Sequence, residues 1–186
     1  GDISGNQLQV GFSYLIDSVF NTDFNKSKIS EQSILVQGVV MELDIDDSER
    51  LDKDSYEKLI SVEYANELTN SIDGLIRLQA AISEEIYGFM GYYSGFSYNI
   101  FKQDAIKWNI NTLIGSCGGG GMNTSGGLSY LLETGINFDI NKNTISINTG
   151  YNTSHSGSFE ANYIQCGLKY NFESTIGIPN KLKHKS

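Results

Sequence analysis

The sequence predicts an all-β protein: an antiparallel, eight-stranded, up-and-down β-barrel that crosses a membrane, with an N-terminal appendage. Three observations carry this. Apolar and polar residues alternate over long stretches, most cleanly from Leu128 to Ile140 and from Ile164 to Phe172. Period two is the mark of a sheet with one apolar and one polar face. Tyr, Phe and Gly abound while Pro occurs once, which suits strands. Finally, the connections between the alternating segments are short and long by turns, as in barrels whose strand number is even.

Composition narrows the class. The 186 residues suffice for one domain. Only 39% are hydrophobic, little for a water-soluble core but enough for a barrel that needs an apolar residue only at alternate positions. The net charge of -9 argues against nucleic acid as a partner. No apolar run approaches the length of a transmembrane helix. The first residues, Gly1-Asp2-Ile3-Ser4, are polar, and the expectation is a mature exported chain whose signal peptide has been removed.

Taken in order, residues 1–32 read as an appendage, either a strand over Val10–Ile16 or a short helix near Leu15–Phe20. The barrel spans 33–172 and a tail covers 173–186. The first barrel strand runs over Ile34–Ile45; of its two faces, Leu35, Val39, Met41, Leu43 and Ile45 make the more apolar set. Leu59–Leu68 alternates, with Ile60, Val62, Tyr64 and Leu68 opposite Ser61, Glu63, Ala65 and Glu67, although Glu and Ala leave a helix as a rival. After the turn at Asn70–Gly74, Ile76, Leu78, Ala80 and Ile82 oppose Arg77 and Gln79. Strands then follow near Tyr92–Ile100 and Trp108–Ile114. The glycine-rich Gly118–Gly127 is a loop, without the Lys-Ser/Thr of a phosphate-binding loop. The hairpin around Asn141-Lys142-Asn143 and a last strand ending at Phe172 complete the count of eight.

The stretch Gly118–Phe172 resembles the end of small bacterial outer-membrane β-barrel proteins of the OmpA, OmpX and OmpW kind. The residues that carry the resemblance are the glycine run, the hairpin Gly127–Gly150, and the close from Phe159-Glu160-Ala161-Asn162-Tyr163 to Gly167-Leu168-Lys169-Tyr170-Asn171-Phe172. In that family the final strand ends on Phe or Trp, the place that Phe172 takes here. The resemblance implies residence in the outer membrane of a Gram-negative bacterium, contact with outer-membrane lipid and with other envelope proteins, and no cofactor. It does not choose among structural, adhesive and envelope-assembly roles, with a narrow pore as a lesser option.

If the apolar faces meet lipid, the charged residues in the opposite phase point inward. A lumen charge network of Glu63, Glu67, Arg77, Glu133, Asp139 and Lys169 is then expected, because enclosed charges persist only when paired. Aromatic side chains near strand ends (Tyr98, Trp108, Tyr130, Tyr170 and Phe172, with Tyr64, Tyr92, Phe138, Tyr151 and Tyr163 in the wider set) are expected to form girdles at the membrane interfaces. Cys117 falls in the lumen phase and Cys166 in the apolar phase, so the two are expected to be free thiols. The acidic run Asp44–Asp54 lacks the spacing of a calcium loop and reads as solvated. No metal site is expected.

Two functional alternatives accompany the membrane reading. One is a soluble barrel or sandwich that binds an apolar ligand or a protein, with the apolar faces turned inward. The other is a lipid-modifying enzyme using His155, Ser156 and Glu160. In an extended strand His155 and Ser156 would point to opposite faces, so no catalytic residue is assigned.

Overall fold

In the computed structural model the described residues are 28–176, except 45–55, 84–85, 87, 104, 126 and 141–142. The strand forecast over Val10–Ile16, the acidic run after Asp44 and the lysine-containing tail lie outside them.

Eight antiparallel strands close into one barrel in sequence order. They are β1 (Lys28–Asp44), β2 (Tyr56–Thr69), β3 (Ile72–Ala81), β4 (Met90–Gln103), β5 (Ile106–Gly118), β6 (Leu128–Ile140), β7 (Asn143–Ser154) and β8 (Glu160–Ile176). Two-residue connections join β2 to β3, β4 to β5 and β6 to β7. The strand ends joined by longer connections, β1 to β2, β3 to β4, β5 to β6 and β7 to β8, are at the other end. Every strand has at least the ~9–11 residues needed to cross a bilayer at a tilt. Residues 56–68 are strand, so the helical rival fails: the β1 pairing from Val36↔Val62 to Glu42↔Tyr56 outweighs the local helix propensity of Glu and Ala.

Alternate residues of each strand face in and out. On β6, Leu128, Tyr130, Leu132, Ile136, Phe138 and Ile140 are exposed on the outer wall while Ser129, Leu131, Glu133 and Asn137 are buried. Ile60, Val62 and Leu78 continue the outer apolar wall around β2 and β3. A soluble protein does not leave an apolar band of this size to water. The outer wall is apolar, the inverse of what the soluble alternative requires.

Strand β1 corrects one expectation about facing. Leu35, Val39, Met41 and Leu43 point into the barrel, and Ile34, Val36 and Val40 point out. Both faces of this strand are apolar, so composition alone could not choose between them. The register decides: Gln37 pairs with lumen-facing Ser61 and Val36 with outward Val62. The last strand is also longer than expected, running four residues past Phe172 to Ile176.

A lumen this narrow must be filled by side chains, and the backbone makes room for the large ones. Tyr93 is completely buried. Its ring lies over Gly115 of the neighbouring strand, where a Cβ would come within 2.7 Å of Tyr93 Cδ1 and 2.0 Å of the Tyr92 carbonyl oxygen. A side chain at residue 115 would collide with the β4 backbone as well as with the tyrosine ring.

Candidate functional site: the barrel lumen

The lumen has three storeys. At mid-height three register pairs, Glu63↔Arg77, Asn111↔Glu133 and Asn148↔Gln165, place polar side chains on six of the eight walls. Arg77 lies at the centre, fully buried. Its Nη1 donates to Glu133 Oε2 at 2.7 Å and its Nη2 to Glu133 Oε1 at 2.6 Å, a two-pronged pairing. Its Nε donates to Glu63 Oε2 at 2.9 Å, and Nη2 is also against that oxygen. Glu133 is held from three further directions. The Tyr163 hydroxyl donates to it at 2.7 Å and Gln165 Nε2 at 2.9 Å, while Asn111 Nδ2 donates to Oε1. Planar guanidinium and carboxylate groups suit such forked pairing. A charge without water needs this many partners to persist.

Above this knot, toward the long connections, the lumen is apolar. Val39, Met41, Leu59, Leu113, Leu131 and Tyr93 fill it, and Phe89 and Phe159 lie over them with ring centroids 5.7 Å apart. The connections that carry these two phenylalanines are packed tightly against the one between β5 and β6. A Cβ on Gly119, which has φ of +91°, would meet the Gly88 carbonyl oxygen at 2.1 Å. Buried polar groups interrupt this storey at Glu57, Ser61, Gln79, Ser129, Asn152 and Ser154. Asn152 Nδ2 donates to the Tyr93 hydroxyl at 2.9 Å, Asn152 Oδ1 accepts from the Ser129 hydroxyl at 2.6 Å, and Glu57 accepts from Ser83.

Below the knot, toward the short turns, the lumen is polar and open. A vestibule of about 70 Å³ is lined by Glu31, Glu67, Asp73, Asp139, Lys102, Lys107 and Lys169 together with amide and hydroxyl side chains. Lys107 Nζ lies 2.8 Å from Asp139 Oδ2, and Thr144 donates to Asp139 at 2.6 Å. A smaller cavity of about 10 Å³ continues from it to Glu63 and Asn111.

The six charged residues singled out from the sequence therefore fall into two groups. Glu63, Arg77 and Glu133 form the knot, whereas Glu67, Asp139 and Lys169 line the vestibule. Lys107, the partner of Asp139, and the neutral ligands Tyr163, Gln165 and Asn111 are not part of the charge network that the sequence predicts. Their signal was available in their strand phase, since Tyr163 and Gln165 alternate with outward Ile164 and Cys166. Tyr163 is a correction to the wider girdle set: it points inward and is held by Glu133. Of the named girdle residues, Tyr98, Trp108, Tyr130 and Tyr170 are exposed on the outer wall, and Phe172 stacks beside Tyr170 with centroids 6.3 Å apart. The Trp108 indole donates to Thr134 at 2.7 Å on that wall.

Cys117 is buried in the apolar storey and Cys166 is on the outer wall, and both are free thiols. His155 does not form a pair with Ser156. Its Nδ1 faces the Tyr130 hydroxyl at 3.1 Å, at the rim.

No protein-family model matches the sequence, and a search of curated proteins finds no match. Solved structures do match. Neisserial surface protein A superposes with a TM-score of 0.56 at 9% identity, covering 76% of this chain and 97% of that one. A de novo designed transmembrane β-barrel gives a TM-score of 0.50 at 8% identity, covering 75% and 95%. Ail, an outer-membrane protein of Yersinia pestis, in a phospholipid bilayer nanodisc also gives 0.50, at 14% identity, covering 77% and 99%. Likeness at such low identity is likeness of fold, and the fold is that of small eight-stranded transmembrane β-barrels.

Proposed function

We propose that this chain is a non-catalytic barrel of the bacterial outer membrane, sealed against solute flow. Its role is to hold a firm surface of packed connections at the membrane: a structural, adhesive or envelope-assembly part. The observation that carries this reading is the lumen, closed at two levels by different physics. The charged knot blocks the middle, and the apolar storey under Phe89 and Phe159 blocks the long-connection end. Side chains rather than water fill an eight-stranded barrel, which also weighs against the narrow pore.

The apolar outer wall suits lipid as the immediate partner. Envelope proteins are the partners for the surface formed by the connections. The short turns would face the periplasm. The engagement of His155 by Tyr130 rather than by Ser156 supports a non-catalytic reading.

The test is conductance and location. Cell fractionation is expected to place the native chain in the outer membrane, and the purified barrel in planar bilayers is expected to pass no steady current. A stable ohmic conductance in the unaltered protein would replace the sealed barrel by a pore. Recovery of the chain in the soluble fraction would overturn the membrane assignment altogether.

A further inference from the structure

The small cavity between knot and vestibule has an unusual chemical polarity. Three asparagines link Glu133 to it. Asn111 Nδ2 donates to Glu133, Asn109 Nδ2 donates to Asn111 Oδ1 at 2.6 Å, and Asn137 Nδ2 donates to Asn109 Oδ1 at 2.8 Å. A carboxylate already engaged by Arg77 and Tyr163 only accepts. Glu133 therefore fixes which way Asn111 points, Asn111 fixes Asn109, and Asn109 fixes Asn137. The row must end in an oxygen. Asn137 Oδ1 is that oxygen; it is buried and accepts no hydrogen bond in the structure.

A second such oxygen belongs to another residue lining the same cavity. Asn148 spends its Nδ2 on Ser146 at 3.0 Å, and its Oδ1 accepts nothing. That oxygen lies over Gly135, two residues along β6 from Asn137; a Cβ there would be 1.7 Å away. Both asparagines are more than nine-tenths buried and line the cavity together with Glu63 and Asp73. Two buried acceptors without a donor are costly. The vestibule and knot together carry carboxylates at Glu31, Glu67, Asp73, Asp139, Glu63 and Glu133, which outnumber the cations Lys102, Lys107, Lys169 and Arg77.

We propose that this throat is a binding site for one small monovalent cation of the alkali class, which enters from the short-turn end and keeps part of its water shell. The cavity of about 10 Å³ fits the ion alone, so the water that it keeps lies on the side of the larger vestibule. Amide oxygens with a nearby carboxylate are hard ligands suited to such an ion. Among the described residues no group of three His, Cys, Asp or Glu side chains is placed to hold a metal, so a multivalent ion is not favoured. Lys169 lines the same cavity and acts as the built-in competitor.

The test uses the whole chain refolded into nanodiscs. Sodium chloride replaces choline chloride at constant ionic strength while the side-chain amide signals of Asn137 and Asn148 are followed by NMR. Saturable shifts of both are expected, since choline is too large for the throat. Lys169→Gln removes the competing charge and Asn148→Asp adds an attracting one, and each should lower the midpoint about tenfold. Ser146 can rotate to donate to the new carboxylate, and the backbone spectrum reports that the barrel is intact. An absence of saturation, or equal shifts in choline, would mean that the throat holds water only and would overturn the site. Midpoints unmoved in both variants, with the shifts present, would place the ion elsewhere and overturn it equally.

Discussion

The two ends of the lumen are built from the same eight strands, yet one is dry and the other wet. At the long-connection end the inward positions carry Met41, Leu59, Leu131 and Tyr93 under Phe89 and Phe159. At the short-turn end inward positions on the same strands carry Glu67, Asp73, Asn137, Asp139 and Lys169. Hydrophobic closure needs no directional partners and tolerates rearrangement among apolar neighbours. Polar closure needs every partner in place. Arg77 stands at the border, and its pairing separates the two regimes.

Breaking that border gives the largest expected effect. Arg77→Met leaves Glu63 and Glu133 facing each other without a cation, and should cost ~3–5 kcal/mol in urea unfolding from lipid vesicles. A loss below ~1 kcal/mol would show that the knot is not needed to separate the two ends. Phe159→Ala opens the dry end, with an expected cost of ~3 kcal/mol and, in the same measurement, no change in the response of the vestibule to salt. Tyr93→Phe keeps the ring over Gly115 but drops the hydroxyl bonded to Asn152; ~1 kcal/mol is expected. Smallest is Lys107→Met in the wet end. Its ion pair with Asp139 is only partly shielded from solvent, and a change within ~1 kcal/mol that fades with added salt is expected. A larger loss there than at Phe159 would reverse the ranking of the two ends.

Much of this architecture was legible in the residues. On strands β3 to β8 the outward positions are mostly apolar and the charged residues fall in the opposite phase, so phase alone assigns Arg77, Glu133 and Lys169 to the lumen. Phase fails where both faces are apolar, as in β1. There the inward set serves the dry storey and the outward set serves the wall, and only the pairing with β2 tells them apart. The division of the charges into knot and vestibule was not legible either. Height along the axis depends on how neighbouring strands are staggered, which spacing within one strand does not reveal. Tyr163 shows the remaining limit: tyrosine suits a membrane interface and a buried hydrogen bond equally well, and its carboxylate partner lies thirty residues away in sequence.

The placement of the two thiols has a practical consequence. Cys117 is buried within the apolar storey and Cys166 sits on the outer wall between Ile164 and Leu168. The chain thus carries its own clock for insertion. A water-soluble maleimide would label both thiols in the unfolded chain. In a detergent-free folding reaction it would lose both, one to the barrel interior and one to the bilayer, and the order of loss would tell whether the wall meets lipid before the lumen closes.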